Sequence, residues 1–168
     1  MVHRVALLAC AVLTFSSQAW SQDTRIPKLK VFGIELGSNI SRYKNATRIS
    51  KTSYSIPKSD FDVPPLFSED FTFDAMVTEN GTVFGILAKT ERITENSSKV
   101  VDAVIEAYPK VKRNRIGIEE LARGDIGNGY TISVLQSLSP HGLYAACAHT
   151  PTYQRLEESQ TKKNARGL

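Results

Sequence analysis

The fold is decided by the stretch FTFDAMVTENGTVFGILAKT, residues 71–90. Apolar and mostly polar residues alternate over 71–79, which is the period of a strand with one buried face. Asn80-Gly81 follows, and Asn-Gly is the preferred pair for a two-residue type I′ turn because both positions take positive φ. The stretch therefore predicts a β-hairpin. Pairing Glu79 with Thr82 gives three apolar pairs on one face: Val77 with Phe84, Ala75 with Ile86, and Phe73 with Ala88.

The flanking segments predict further strands and helices. Strand-like composition is found at residues 31–36, 47–56, 130–138 and 143–150, and helical signals at 38–46, 98–108 and 116–122. In the predicted helix at 98–108, Val100, Val101 and Val104 form one apolar stripe. Gly124 is interpreted as the residue that ends the predicted helix at 116–122. The order predicts an α+β fold: a single antiparallel sheet of about five or six strands with two main helices packed on one face.

Length and composition fit one small globular domain. The chain has 168 residues, 41% of them hydrophobic and 23% charged, which excludes a fully disordered chain, collagen, a coiled coil and a membrane bundle. The expected organisation is a signal peptide at 1–21, a flexible lead-in at 22–30, one α+β domain at 31–153 and a polar C-terminal tail at 154–168.

The first 21 residues have the three parts of a secretory signal peptide. His3 and Arg4 are basic, the apolar run VALLACAVLTF occupies residues 5–15, and small residues precede Gln22. The apolar run is shorter than the roughly 20 residues that a spanning helix needs. The sequence therefore predicts a periplasmic or secreted bacterial protein, cleaved near Ser21 and not integral to a membrane. Its one remaining cysteine is then Cys147.

Three short motifs carry a family resemblance. They are FGIELGS at 32–38, which leads into a helix, ENGT at 79–82, and EAYP at 106–109, which ends a helix. Over residues 31–150 the chain resembles small secreted bacterial domains similar to the β-lactamase inhibitory protein. It departs from them by Pro109 in place of the usual glycine and by the lack of disulfides, so no binding residues are carried over. The resemblance implies a secreted binding module.

Metal-ligand residue types cluster near the last predicted strand. Cys147 and His149 are two residues apart and share a strand face, and His141 lies in the preceding turn. Cysteine and histidine are common ligands of zinc and copper. The same residues could instead form a thiol nucleophile with a histidine base. The alternative is a half-buried strand with Cys147 inside, and it is preferred because a fourth ligand is missing. No cofactor is predicted. Catalytic motifs such as Gly-x-Ser-x-Gly are also missing, so an enzyme is not favoured.

Two further groups are candidates for binding. The basic run of Lys110, Lys112, Arg113 and Arg115 fits contact with an anionic surface, or a solvated loop after a helix. Aromatic side chains are enriched at binding surfaces. The aromatic candidates are Tyr144, Tyr43, Tyr54, Phe61, Phe67 and Tyr153.

The expected function is a non-enzymatic protein-binding module, of the inhibitor, immunity or envelope-accessory kind. Its expected partner is another envelope or secreted protein, and nucleic acid is not expected. One alternative is a small metal- or thiol-dependent hydrolase using Cys147, His149 and His141. The other is an envelope structural protein that binds anionic lipid or glycan.

Overall fold

The structure is a computed structural model that describes residues 25–67, 70–91, 97–114, 120–138 and 141–166. Within these ranges the strands are β1 (Leu29–Val31), β2 (Ile34–Leu36), β3 (Thr47–Arg48), β4 (Ser53–Ile56), β5 (Thr72–Val77), β6 (Val83–Thr90), β7 (Lys112–Arg113), β8 (Glu120–Gly127), β9 (Tyr130–Leu138) and β10 (His141–His149). The helices are α1 (Ser97–Ala107) and α2 (Thr150–Arg166), and short 3-10 turns lie at Ile40–Arg42, Lys58–Asp60 and Pro65–Phe67.

Eight strands form one antiparallel sheet in the order β3-β4-β5-β6-β10-β9-β8-β7, and β1 and β2 form a separate hairpin. The sheet consists of two four-strand meanders, β3–β6 and β7–β10, connected by α1. Their last strands, β6 and β10, lie side by side at the centre, with Ala88 opposite Ala145 and Ile86 opposite Cys147. We call this pairing the central seam.

The predicted α+β fold class, a single sheet of five or six strands with two main helices on one face, is wrong, because the described chain has two sheets and the larger has eight strands. The described chain is mostly β, with eight strands in the large sheet rather than five or six, and two helices. Ala122, expected in a helix, lies in β8, where irregularities between Glu120 and Ala122 and between Asp125 and Gly127 interrupt the strand alternation. Gly124 does not end a helix. A Cβ there would lie 2.6 Å from the Lys110 carbonyl oxygen, so close backbone approach requires glycine. Residues 116–119 lie outside the described ranges.

Both ends of the described chain also differ from expectation. Residues 31–36 are not one strand but a tight hairpin, in which Phe32 (φ 50°) and Gly33 (φ 87°) make the turn. The helix expected up to Ala46 is a single 3-10 turn capped by Asn39, whose Oδ1 accepts a hydrogen bond from Ser41 N (3.0 Å). At the other end, residues 154–166 of the predicted polar tail belong to the helix α2.

The hairpin of β5 and β6 is confirmed, but its turn differs. Phe73 lies opposite Ala88 and Ala75 opposite Ile86, as predicted, whereas Val77 lies opposite Val83 because of a bulge after Met76. Of Asn80 and Gly81, only Gly81 takes positive φ (80°), and Gly81 N donates to Thr78 O (2.9 Å). A two-residue turn with positive φ at both positions lies instead at Asn128 (54°) and Gly129 (77°), between β8 and β9.

The core lies on one face of the large sheet. The predicted stripe of Val100, Val101 and Val104 is confirmed as the buried side of α1. An aromatic cluster packs on the same face, with neighbouring ring centroids 4.8–6.4 Å apart: Phe32, Phe61, Phe67, Phe71 and Phe73. Each buried side chain of this size contributes about 1.5–3 kcal/mol. Among the described residues, no helix is long and apolar enough to cross a membrane.

Candidate binding face

The face of the sheet opposite the core carries side chains that are neither fully buried nor fully exposed. Successive strand residues point to opposite faces of a sheet. Met76, Leu87, Leu135 and Tyr144 each follow a residue that is buried on the core face, so these four residues lie on the opposite face. We call this the open face. Its central members are Met76, Gly85, Leu87, Thr131, Ser133, Leu135, Gly142, Tyr144, Ala146 and Ala148.

The elements that bury the core lie on the other side. The β1–β2 hairpin, the aromatic cluster and α1 contribute buried residues to the core cluster, and none of these residues belongs to the open face. In α2, the described side chains after Thr152 are exposed apart from half-buried Leu156. Within the described ranges, therefore, the open face has no covering layer.

Two large side chains lie flat on this face over glycines. A Cβ at Gly142 would lie 2.8 Å from the Tyr144 hydroxyl and 2.9 Å from its ring, and a Cβ at Gly85 would overlap the Met76 methyl group. The tyrosine ring and the thioether therefore occupy the space that the glycines leave. The result is a surface of low relief that combines apolar groups with the Tyr144 hydroxyl.

The open face carries two ion pairs and the exposed Asp125 of β8, and Lys89 of one pair lies directly opposite Tyr144. Lys89 Nζ lies 2.6 Å from Asp74 Oδ2 on the β5–β6 side. On β8, Arg123 Nη1 lies 3.6 Å from Glu120 Oε1. The central members between these pairs carry no charged group. Each pair is at least partly exposed and stabilises the fold little, but together the pairs frame an uncharged centre.

The predicted basic run lies at the edge of the sheet. Lys110 is exposed in the turn after α1, and Lys112 and Arg113 form the exposed edge strand β7. Arg113 is ion-paired with Asp102 of α1. Arg115 lies outside the described residues. Tyr144 is three strands away from β7 in the sheet order, about 14 Å at the usual strand spacing, so the structure does not join the run to Tyr144.

The proposed metal or thiol residues do not converge. Cys147 is fully buried at the central seam, and burial raises the pKa of its thiol to about 12. His141 and His149 are the two ends of β10, roughly 26 Å apart at the usual rise of a strand. In the parts of the chain that the structure describes, no group of three His, Cys, Asp or Glu residues is placed to hold a metal ion.

His149 is instead part of a buried contact. Its Nδ1 lies 2.8 Å from Thr152 Oγ1, and its ring centroid lies 5.2 Å from that of Tyr130. Burial, and to a lesser extent the nearby Arg155, lowers the pKa of His149. The imidazole therefore has a structural role at the junction of β10 and α2.

Of the six aromatic candidates, Tyr144 is the member on the open face. Tyr43 is buried and its hydroxyl accepts a hydrogen bond from Glu35 N (2.8 Å), while Phe67 belongs to the aromatic cluster. Half-buried Tyr54 and Phe61 pack against the core, and Tyr153 is exposed on α2.

The sequence interpretation missed Met76, Leu87 and Leu135. A signal for them was present, because they occupy positions of the strand alternation where polar residues are expected. Apolar residues at such positions indicate a second contact surface.

Comparison with protein-family models, with curated proteins and with solved structures finds no match for this chain. The resemblance to the β-lactamase inhibitory protein group therefore stays a prediction.

Proposed function

We propose that this chain is a non-enzymatic protein-binding module, periplasmic or secreted after removal of residues 1–21, and that the open face docks another envelope or secreted protein. The observation that carries the proposal is the sheet face without a covering layer in the described chain, with an uncharged, partly apolar centre between two ion pairs. Interface centres are depleted in charge and enriched in tyrosine and methionine, as at Tyr144 and Met76.

The chemistry of the face favours a protein with an uncharged contact centre. Lys89 and Arg123 already have carboxylate partners, so neither offers a free cation to phosphates. The alternatives of an anionic lipid or glycan therefore have less support at this face. Ser133 and Thr131 add hydroxyl groups that can donate or accept hydrogen bonds, which suits a polypeptide surface.

The hydrolase alternative has less support. A nucleophilic cysteine needs an accessible thiolate and a base within hydrogen-bond reach. Cys147 is fully buried, its pKa is raised to about 12, and the Nδ1 atom of His149 contacts Thr152 rather than the thiol.

Site-specific photocrosslinking in the producing cell tests the proposal. A benzophenone side chain replaces Tyr144 in one variant, Leu135 in a second and Tyr153 in a third, which serves as the control because Tyr153 is exposed on α2. We expect one and the same protein adduct from positions 144 and 135, and none from 153. A Leu135→Glu substitution should remove the adduct at 144 because it places a charge in the uncharged centre.

Far-UV circular dichroism of every variant establishes that it is folded. No adduct from 144 or 135 in folded protein, or the same adduct from 153, overturns the proposal. An adduct of twice the chain mass, identified as a second copy by mass spectrometry, also overturns it and assigns the face to self-association.

A further inference from the structure

A groove lies at the end of the sheet where the β5–β6 turn and the start of α2 meet. Its volume is about 1070 Å³. Four parts of the sequence line it: residues 25–28, Gly37, the turn residues 78–80 with Thr82, and Thr152, Arg155 and Leu156 of α2. This groove is separate from the open face and shares none of its central members. An inference about it therefore does not depend on the proposed function.

The walls of the groove are anchored to the fold. Tyr130 Oη donates to the Pro27 carbonyl (2.6 Å), and Gly37, which also lines the groove, donates its N–H to Val83 O (2.7 Å). A Cβ at Gly37 would lie 2.7 Å from the Pro27 carbonyl oxygen. Thr152 is fixed by its contact with His149. The walls at Pro27, Gly37 and Thr152 are therefore held by the fold.

Positive charge predominates in the groove. Its lining contains three cations, Arg25, Lys28 and Arg155, and one acid, Glu79. Lys28 is largely exposed but is already ion-paired with Glu35 at 3.4 Å, so Arg25 and Arg155 are the main source of the positive charge. Arg155 uses its Nε to donate to the Pro151 carbonyl (3.3 Å), which leaves its terminal nitrogens for a ligand. Thr78, Asn80 and Thr82 add hydroxyl and amide groups along the turn.

We propose that this groove binds an extended acidic peptide segment. Arg25 and Lys28 are three residues apart outside any helix, a span of up to about 10 Å, and Arg155 stands on a different wall. Charges distributed in this way match carboxylates spaced along a chain better than one compact anion. Backbone carbonyls and hydroxyls in the walls can pair with the polar groups of an extended peptide.

Fluorescence anisotropy with a labelled decaglutamate peptide tests the proposal on the purified protein at low salt. We expect binding that weakens with added salt, since these charges are exposed. The double variant Arg25→Gln, Arg155→Gln should bind about tenfold more weakly, and Glu79→Gln about twofold more tightly, as expected for removing exposed attractive and repulsive charges. Lys99→Gln is the control for the loss of one positive charge elsewhere, because Lys99 is an exposed cation of α1 outside the groove.

Three results would overturn the inference. One is an equal loss of affinity in Lys99→Gln and in the double variant, which indicates unspecific attraction by the net positive chain. A second is unchanged binding in the double variant. The third is displacement of the peptide by inorganic phosphate at an equal concentration of charge, which assigns the groove to a compact anion. A labelled Gly-Ser decapeptide should not bind.

Discussion

His149 links three parts of the molecule through one side chain. It ends β10, contacts Thr152 in the first turn of α2, and packs its ring against Tyr130 of β9. Tyr130 in turn holds residue 27 through its hydroxyl. The charged group identified near the imidazole is Arg155, a cation. A protonated His149 would therefore be both desolvated and repelled.

Stability should accordingly depend on pH through this residue. Because the folded-state pKa of His149 is lowered from 6.5, the unfolded chain binds the proton more readily. The free energy of unfolding is then at its full value above pH 6.5 and decreases as the pH falls toward the lowered pKa. In the His149→Asn variant we expect this fall in stability with decreasing pH to disappear. At pH 7.5 the free energy of unfolding should be about 1 kcal/mol lower than in the wild type, because a hydrogen bond is lost.

Urea unfolding at pH 7.5, 6.5 and 5.5 measures both effects. His141→Asn is the control, since it removes a histidine at the other end of β10. An unaltered pH slope in His149→Asn would contradict this account.

At the level of elements, the two Asn-Gly pairs of the chain form different turns. Asn128 and Gly129 both take positive φ, whereas at the Asn80-Gly81 pair only Gly81 does. The Asn80-Gly81 pair belongs to a turn from Thr78 to Gly81. The central residues of this turn, Glu79 and Asn80, have ordinary negative φ. Local sequence therefore specifies a hairpin at both pairs, but the bulge after Met76 changes the turn type at one of them.

Alanine substitutions should separate the two turns. Asn128→Ala places a Cβ-bearing residue without a local hydrogen-bonding side chain in the left-handed region and should destabilise the protein by about 1 kcal/mol. Glu79→Ala keeps a negative φ and should cost less than about 0.5 kcal/mol. Equal losses of stability from the two substitutions in chemical denaturation would contradict this difference between the turns.

The elements that could be predicted are those with an uninterrupted local pattern. β5 and β6 alternate over many residues, β9 was predicted with its observed limits, and α1 has three valines on one side. β8 could not be recognised, because two irregularities disturb its alternation and glycines occupy positions 124 and 127. The β1–β2 hairpin was hidden because its turn places a phenylalanine at positive φ.

The candidate sites were less predictable than the elements. Tyr144 could be named by residue type, but its neighbours Leu87 and Leu135 come from other strands and meet it only through the register. The groove depends on segments from the start, the middle and the end of the described chain and has no local sequence signature. Contacts between segments distant in the sequence, rather than any motif, create both surfaces.

For the whole molecule, the central seam joins the two meanders into one cooperative unit. Ala88 and Ala145 are opposite each other and fully buried, as are Ile86 and Cys147. Small side chains at the seam bring the strands and their covering layer together, and the core continues across it. Neither meander therefore has a separate core of its own.

Unfolding should consequently be a single transition. We expect the urea midpoint from far-UV circular dichroism to coincide with the midpoint for alkylation of Cys147, mapped by mass spectrometry after pulses of iodoacetamide. The buried thiol should resist the reagent in the native protein. Alkylation at urea concentrations well below the dichroism midpoint would instead mean that the seam opens before the meanders unfold.

The position of the seam also governs when the chain can finish folding during its synthesis. β6 is complete early, yet its neighbour on the seam is β10, the last strand to emerge. Until then the six β6 residues that pair with β10, residues 85–90, lack their backbone partners on that edge, and such an edge is a template on which nascent chains can pair with one another. The slower the chain is made, the longer this one strand edge stays open to such pairing.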